Sequence, residues 1–203
     1  MALGTTLDLS TIRIFTSLVM TMNNLRWTDP GFDEPMQGVT EQWDLVNCDL
    51  LGAVHAIHVH LTQFRVVGRF DLDLARYLND NPMPVVGQRW APKPDNYLVG
   101  PMQPPAPYEL GWKDTVRCPP GQVTRFVVRW PTAAELGFDP DETFATPSGE
   151  RERGYVWHCH VLDHEDHEMM QRLRIINRES RADVGPSSDT AAAWCDLPPP
   201  AGT

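Results

Sequence analysis

The sequence predicts an all-β protein built as a sandwich or barrel. The chain has 203 residues, and its 19 prolines are about twice what average usage near 5% would give. Because proline breaks helix interiors but is tolerated at turns and strand ends, this excess argues against an all-helical protein. Short segments rich in β-branched and aromatic residues also recur between turn signals, which is typical of β-sandwiches and barrels.

Seven segments fit the strand pattern: 12–20, 41–46, 53–60, 62–67, 123–130, 154–160 and 171–176. Each carries β-branched or aromatic residues and is bounded by turn signals. In segment 123–130, the four even-numbered residues can all be buried. The odd-numbered positions include Arg125, Val127 and Arg129. This alternation predicts a strand with one buried face and one solvated face.

The remaining segments are less regular. A helical turn is expected around 72–78, and eight prolines fall within 79–110, which predicts a long Pro-rich loop. Residues 178–203 are polar, aperiodic and rich in Ala, Ser and Pro, so we expect a flexible, disordered tail. We therefore expect one domain over 1–177, with a core large enough to need no disulfide staples.

The charge balance excludes several kinds of partner. The chain carries 17 Lys and Arg against 27 Asp and Glu, a formal net charge of −10. We therefore expect neither nucleic acid nor an anionic membrane as a partner. No apolar run approaches the roughly 20 residues of a membrane helix, and the first residues do not resemble a secretory signal. The sequence leaves the compartment open.

Three cysteines lie outside any motif. Cys48, Cys118 and Cys195 form no CxxC pair, so their spacing predicts neither a disulfide scaffold nor a zinc ribbon. We expect these residues to be inert thiols, and at most one pair of them could form an intrachain bridge.

All seven histidines fall in two windows. The first, VHAIHVH, holds His55, His58 and His60, and the second, WHCHVLDHEDHEMM, holds His158, His160, His164 and His167 together with Cys159. Histidines scattered for packing would not usually collect in this way. Because imidazole and thiolate groups together bind copper, zinc or iron, the two windows predict a metal site.

Strand parity divides these residues into two sets. Side chains alternate faces along a strand, so histidines two residues apart share a face, whereas His55 and Cys159 take the opposite one. If the two strands are neighbours in one core, the first set is His55 and Cys159, joined by His164 and a methionine from the following loop. The second set is then His58, His60, His158 and His160.

The two sets predict different chemistry. Two histidines, one cysteine and a weak methionine are the ligands of a blue-copper electron-transfer site. The spacing Cys159–x4–His164–x4–Met169 lets one loop wrap three of them around one ion. Four imidazoles without a thiolate suit copper that meets dioxygen. Because Cys159 is bonded to His158 and His160, an electron on its sulfur has a short covalent route to the second set. Zinc remains an alternative metal, since ligand softness biases the choice without dictating it.

Longer motifs surround these residues. They are LVMTMNNLRW, HAIHVHLTQFRVVGR, GWKDTV with PPGQVTRF, and YVWHCHVLDHEDHEMM, and they span roughly residues 5 to 177. With them the chain resembles the C-terminal cupredoxin domain of a multicopper oxidase, nearest the bacterial spore-coat laccase and bilirubin-oxidase branch. The resemblance implies a Greek-key, cupredoxin-like β-sandwich.

The resemblance also implies a role for each residue of the two sets. It implies a type 1 copper held by His55, Cys159 and His164 with Met169 axial, a type 2 ligand at His58, and type 3 ligands at His60, His158 and His160. It further implies that Glu165 belongs to a proton relay toward the oxygen site. The activity implied is that of a laccase-like oxidase. In such an enzyme a phenolic or similar small-molecule reductant gives single electrons to type 1 copper, and a trinuclear copper site reduces O2 to water.

By the same resemblance, the chain is expected to be incomplete as an oxidase. The family's trinuclear site uses eight histidines, four of which come as two His-x-His pairs from an N-terminal domain. Six of the seven histidines here already have a role, and we expect the seventh, His167, at the surface. An N-terminal cupredoxin domain or a separate chain is therefore the expected partner. The family's usual His-Pro is His55-Ala56 here, a departure that removes no ligand.

Other interpretations stay open at this point. The chain could be a stand-alone mononuclear blue-copper module for electron transfer or copper binding, or an inactive truncated product. The histidines could also be satisfied core residues without a metal. A homo-oligomer that pairs four histidines from each of two chains is conceivable, although no feature of the sequence argues for it.

Overall fold

The computed structural model describes residues 2–7 and 18–177, whose secondary structure is mainly β-strand with few short helices. Most of the predicted strand at 12–20, the predicted tail at 178–203 and Cys195 lie outside the described residues. The strands in chain order are β1 (Ala2–Leu7), β2 (Leu18–Met22), β3 (Thr40–Asn47), β4 (His55–Val59), β5 (Phe64–Leu72), β6 (Leu98–Gln103), β7 (Trp112–Lys113), β8 (Thr115–Cys118), β9 (Gln122–Arg129), β10 (Thr143–Ala145), β11 (Arg151–Arg153), β12 (Tyr155–Cys159) and β13 (Met170–Leu173). The helices are α1 (Leu74–Asp80), α2 (Ala133–Leu136) and α3 (Leu162–Glu165), with 3-10 turns at Asp95–Tyr97 and Pro107–Glu109. Within these ranges no helix is long and apolar enough to cross a bilayer.

Two sheets form the sandwich. The larger sheet has the order β2-β1-β3-β9-β5-β6, with β7 also paired to β5, and the smaller has the order β13-β12-β4-β8. Strands far apart in sequence lie side by side, as in Greek-key sandwiches. The strands β10 and β11 form a separate two-stranded hairpin. The predicted all-β fold is confirmed.

The main core lies between the two sheets. The larger sheet contributes Trp43, Phe64, Phe126 and Val128, and the smaller contributes Ile57, Val59, Trp157 and Cys159, among other buried residues. In β9 the predicted alternation is confirmed, since Thr124, Phe126 and Val128 are buried while Arg129 is exposed. The strands β4 and β12, which carry much of the two histidine windows, therefore pack on this core.

The predicted helical turn at 72–78 corresponds to α1. The carboxylate of Asp73 accepts a hydrogen bond from the backbone N–H of Arg76 and so caps the start of this helix. Tyr77 buries its ring in a second, smaller core, and its hydroxyl donates to the carbonyl of Pro92 at 2.8 Å. The helix therefore helps to fix the Pro-rich segment that follows it.

The prediction of one long loop over 79–110 was wrong for residues 98–103. These residues form β6, which pairs with β5 at the edge of the larger sheet. The strand contains Pro101, which lacks a backbone N–H and is tolerated in a sheet chiefly at an edge. The strands β5 and β6 approach each other closely at Gly68. A Cβ on this residue would lie 2.5 Å from the carbonyl oxygen of Gln103, so a side chain there would clash with β6.

A buried ion pair fixes the end of the Pro-rich segment. Arg69 donates two hydrogen bonds to the carboxylate of Glu109, at 2.8 and 2.6 Å, and both side chains are about nine-tenths buried. The same guanidinium also donates to the carbonyl of Arg117 in β8. Arg69 thereby ties together β5, the 3-10 turn and the strand that flanks β4.

Trp157 anchors β12 through a hydrogen bond and a ring contact. Its indole N–H donates to the carboxylate of Asp33 at 2.8 Å, and Arg89 forms an ion pair with the same carboxylate. The ring of Trp157 also packs 5.5 Å from the ring of Trp43. Through the contacts of Trp157 with Asp33 and Trp43, the strand that carries His158 and Cys159 is anchored to the rest of the fold.

Candidate metal centre

The two histidine windows lie on neighbouring antiparallel strands, β4 and β12. His158 pairs with His58, and Cys159 pairs with Ile57. Along β4, His55 and Ile57 are buried while His58 is partly exposed. The inner face of the smaller sheet therefore carries His55 and Cys159, and its outer face carries His58 and His158.

On the inner face three ligand-type side chains converge. Nδ1 of His55 lies 3.1 Å from Nδ1 of His164, and Sγ of Cys159 lies 3.8 and 3.6 Å from these two nitrogens. If one ion held nitrogen at about 2.0–2.1 Å and sulfur at about 2.3 Å, nitrogen and sulfur would lie about 3.5–3.8 Å apart in tetrahedral or trigonal geometry. The three residues therefore fit a single ion, and their donor set suits copper or zinc.

The loop after β12 completes this inner-face group. Helix α3 returns the chain so that His164 faces Cys159. Met169 is fully buried, and its carbonyl accepts a hydrogen bond from the backbone N–H of Cys159 at 2.9 Å. Met169 thus lies beside the cysteine in the core, and its axial role stays a prediction.

Burial sets the protonation of this group. Burial first, and the neighbouring His164 second, lower the pKa of His55 to about 4, against an opposing effect of Asp49. The carboxylate of Asp49 lies 3.9 Å from Nε2 of His55. Burial also raises the pKa of the Cys159 thiol. Without a metal the His55 imidazole and the Cys159 thiol are therefore neutral near pH 7, and metal binding must displace the thiol proton.

The outer face gathers the remaining imidazoles. Ligand atoms of His58, His60 and His158 lie within 4.8 Å of one another, and Nε2 of His60 is 3.3 Å from Nε2 of His158. His160 shares the face, with its ring 5.6 Å from that of His158 and 5.8 Å from that of His58, but it is exposed and outside this close group. Burial, followed by the neighbouring His158 and His58, lowers the pKa of His60.

Two outer imidazoles are oriented by hydrogen-bond partners. Nδ1 of His58 lies 2.9 Å from the carbonyl oxygen of Asp114 and 3.0 Å from the hydroxyl of Thr115. Nδ1 of His158 lies 3.2 Å from the carbonyl oxygen of Cys159 and 3.3 Å from the carboxylate of Glu165. Such partners fix the tautomer of a ligand histidine and turn its other nitrogen toward a metal.

His167, Cys48 and Cys118 belong to neither of these two ligand groups. His167 is exposed, as expected. Cys48 and Cys118 are free and buried, and burial raises the pKa of each thiol to about 12. Thiols this weakly acidic are poor nucleophiles at neutral pH, which agrees with the expected inert role.

Sequence reasoning missed three contacts of the site. Asp49 approaches His55, while Asp114 and Thr115 hold His58. Asp114 and Thr115 belong to the GWKDTV motif, so the motif itself was a signal. The motif did not indicate a contact with His58, because Asp114 and Thr115 lie 56 and 57 positions after it in the sequence.

A family model for multicopper oxidases matches residues 14–179. The chain belongs to the multicopper oxidase family. The resemblance drawn from the motifs is thereby confirmed, and copper is the metal that the family implies for these residues.

Similar proteins agree with this membership. The chain is 36% identical over 159 residues to a laccase from Bacillus subtilis, which covers 78% of this chain and 25% of that protein. It is also 36% identical over 160 residues to a multicopper oxidase from Arabidopsis thaliana, covering 76% of this chain and 26% of the relative. This member of the family therefore spans about a quarter of the length of these relatives.

Solved structures support the fold. A multicopper oxidase from Campylobacter jejuni superimposes with a TM-score of 0.51 at 18% identity, covering 86% of this chain and 29% of that one. A multicopper oxidase from Aquifex aeolicus gives a TM-score of 0.50 at 22% identity, covering 86% of this chain and 28% of that one. The described residues thus have the cupredoxin-type sandwich found in this family.

Proposed function

We propose that this multicopper oxidase domain is the electron-input part of a laccase-like oxidase. The observation that carries the proposal is the placement of two ligand groups on opposite faces of one strand pair. The Cys159–His158 peptide bond joins these groups. The relationship to laccases supports a phenolic or similar small molecule as the reductant.

The chain's residues would hold copper on both faces. When bound, copper supplies one-electron redox chemistry at the inner face and dioxygen reduction at the outer face. His55, Cys159 and His164 hold the inner ion, with Met169 beside them. Because Cys159 belongs to the main hydrophobic core, water is excluded from the sulfur side of this site.

The route between the faces is short and rigid. Cys159 and His158 are adjacent in β12, and their side chains leave the strand on opposite faces. The ring Nδ1–H of His158 can also donate to the carbonyl oxygen of Cys159, 3.2 Å away, which gives a second, hydrogen-bonded connection. His160 continues the chain from Cys159 on the outer face and offers a parallel covalent route.

Glu165 is placed to handle protons on the outer face. Its carboxylate lies 3.3 Å from Nδ1 of His158, and its side chain is 21% exposed. A carboxylate that reaches both solvent and a ligand imidazole can hold a proton and pass it toward the oxygen site. This placement supports the relay role that the family resemblance implies for Glu165.

The outer face needs further histidines to complete a trinuclear site. It offers four imidazoles, and the family resemblance implies eight. We propose that another cupredoxin domain, or a separate chain, packs on this face and supplies the others. The short length relative to the laccase relatives supports such a partner.

Copper titration of the purified chain tests the proposal. We expect an intense blue absorption from thiolate-to-copper charge transfer, abolished by Cys159→Ser. The matched control is Cys118→Ser, which removes another fully buried thiol from the same core and should keep the colour. Anaerobic addition of a phenol should bleach the band as the copper is reduced. A colourless copper-loaded chain would contradict the proposal.

A second candidate is a stand-alone electron-transfer module. It is favoured by one observation, since the inner-face group has its three close ligands within this chain. Oxygen uptake separates the two candidates. A blue chain that consumes oxygen with a phenol only after the missing histidine-bearing domain is added supports the oxidase. A blue chain that stays inactive with such a domain supports the module.

A further inference from the structure

The loop that carries His164 and Met169 is bonded to a part of the chain far away in sequence. The carboxylate of Glu168 accepts a hydrogen bond from the backbone N–H of Trp27 at 2.8 Å. Trp27 lies 141 positions earlier, in the segment 20–29. Because Glu168 comes directly before Met169, this contact fixes the loop next to the predicted axial ligand.

Glu168 is also joined to both ligand positions of the loop. Its backbone N–H and that of Met169 donate to the carbonyl of His164, at 3.4 and 3.1 Å. The carbonyl of Met169 in turn accepts the backbone N–H of Cys159 at 2.9 Å. A displacement of Glu168 would therefore move His164 and Met169 together, relative to the cysteine in β12.

Further contacts of the same kind flank Glu168. Side chains on both sides of it bond to the backbone of the segment 20–29. Nδ1 of His167 accepts the N–H of Met20 at 3.4 Å, the amide of Gln171 donates to the carbonyl of Leu25 at 3.0 Å, and the guanidinium of Arg172 donates to the carbonyl of Asp29 at 2.7 Å. The loop and the strand β13 that follows it are therefore bonded to this segment at several points.

A buried turn holds the segment 20–29 in place. Asn23 and Asn24 are buried and take positive φ values of 54° and 63°, a conformation that asparagine tolerates better than most residues. Their carbonyls accept the backbone N–H groups of Trp90 and Gly87, both at 2.9 Å. The side-chain nitrogen of Asn24 lies within 3.3 Å of the carbonyl oxygens of Pro84, Val85 and Gln88. The N–H of Trp27 is thus presented to Glu168 by a segment that the Pro-rich region anchors.

We propose that Glu168 is a positioning residue of the inner-face metal centre. By accepting the N–H of Trp27 it holds His164 and Met169 in their metal-binding arrangement before an ion arrives. This role rests on the proposed function, which assigns copper to the inner face. Groups that hold metal ligands in place commonly change metal affinity 10–100-fold. The geometry requires an acceptor oxygen at this position, and it does not require a negative charge.

Two variants of Glu168 separate positioning from charge. The donor is a backbone N–H, so no side-chain replacement at Trp27 removes it. Glu168→Gln removes the charge but keeps an acceptor oxygen, whereas Glu168→Ala removes both. Asp166→Ala is the matched control, because it removes an exposed carboxylate from the same loop. Glu168 is half-buried and outside the main core, so each variant should fold, which circular dichroism and thermal melts check.

Hydrogen exchange of the metal-free, full-length chain is the first measurement. The Met169 amide should exchange roughly 10-fold faster in Glu168→Ala and close to the wild-type rate in Glu168→Gln and Asp166→Ala. The amide of Tyr77, which donates to the carbonyl of Asp73 in α1, should be unchanged in every variant. Equal acceleration in both Glu168 variants, or none in Glu168→Ala, would overturn the inference.

Copper affinity is the second measurement. The blue absorption reports only the thiolate-bound ion, so competition with a copper chelator, followed at this band, measures inner-face affinity alone. We expect Glu168→Ala to weaken copper binding roughly 10-fold, and Glu168→Gln and Asp166→Ala to bind as the wild type does. A loss in Glu168→Gln as large as that in Glu168→Ala would assign the effect to charge and overturn the positioning role.

These outcomes are separable from the proposed function. A wild-type chain that turns blue, with a Met169 amide unaffected by Glu168→Ala, would overturn the role of Glu168 and leave the electron-input role standing. A colourless copper-loaded chain that shows the expected exchange pattern would do the reverse, because Glu168 would still hold the loop.

Discussion

His58 and His158 lie directly opposite each other on β4 and β12, with ring centroids 5.4 Å apart. The strand pairing itself sets this distance, because side chains of directly paired residues leave the sheet on the same face. The same pairing places Cys159 opposite Ile57 on the buried face. One strand pair thus positions the Cys159 thiol in the core and the imidazoles of His58 and His158 on the outer face of the smaller sheet, with no loop between them.

Glu165 should support the outer face without affecting the inner one. Glu165→Gln replaces the carboxylate that lies 3.3 Å from Nδ1 of His158 and so weakens the partner that orients this ligand imidazole. We expect copper affinity at the outer face to fall roughly 10-fold, while the blue absorption of the copper-loaded chain stays unchanged. Asp163→Asn is the control, since Asp163 is exposed on the same short helix. Equal losses in both variants would indicate a general charge effect.

Variants of Met169 and Met170 test which of these adjacent methionines is the axial ligand. Met169 is fully buried, whereas Met170 is partly exposed. Met169→Leu keeps the core volume, so the stability change should stay below about 1.5 kcal/mol. Loss of a weak sulfur donor to Cu(II) should raise the reduction potential of the blue site. Redox titration of the blue band measures this, and Met170→Leu should leave the potential unchanged. If the reduction potential rose only in Met170→Leu, Met170 rather than Met169 would be the axial ligand.

Strand parity predicted much of this site because the face that a side chain takes depends only on the local backbone of the strand, over two or three residues. It divided the histidines correctly between the faces of β4 and β12, since an extended backbone alternates its side chains regardless of the rest of the fold. It could not find Thr115 behind His58, because β8 pairs with β4 although the two residues are 57 positions apart in the sequence. For the same reason the edge strand β6 was missed, since its pairing with β5 outweighs the loop signal of its proline.

His55 should make the metal-free chain less stable in acid. The unfolded chain protonates this imidazole below about pH 6.5, whereas the folded chain does so only near its lowered pKa of about 4. Between these values the unfolded state binds more protons, so the free energy of unfolding falls as pH falls, by roughly 3 kcal/mol in all. Urea denaturation at several pH values in this window measures the slope.

Two variants isolate the contribution of His55. His55→Gln should reduce the loss of stability between about pH 6.5 and pH 4, because a neutral amide takes up no proton. His167→Gln removes an exposed histidine and should keep the wild-type slope. If His55→Gln also kept that slope, the imidazole would not be the group that resists protonation.

The Arg69–Glu109 pair should be among the most sensitive positions outside the metal site. The Arg69 guanidinium holds the pKa of the Glu109 carboxyl below its usual range, and both side chains are about nine-tenths buried. Glu109→Gln leaves the buried guanidinium without its counter-charge, so we expect a loss of about 3 kcal/mol in the free energy of unfolding, or more. The exposed pair Arg76–Asp80 supplies the control, and Asp80→Asn should cost less than about 1 kcal/mol. Because Arg69 also donates to the carbonyl of Arg117 in β8, the Glu109 variant should additionally weaken copper binding at His58. A large loss of stability with unchanged copper affinity would show that the ion pair supports the fold without positioning β8 beside His58.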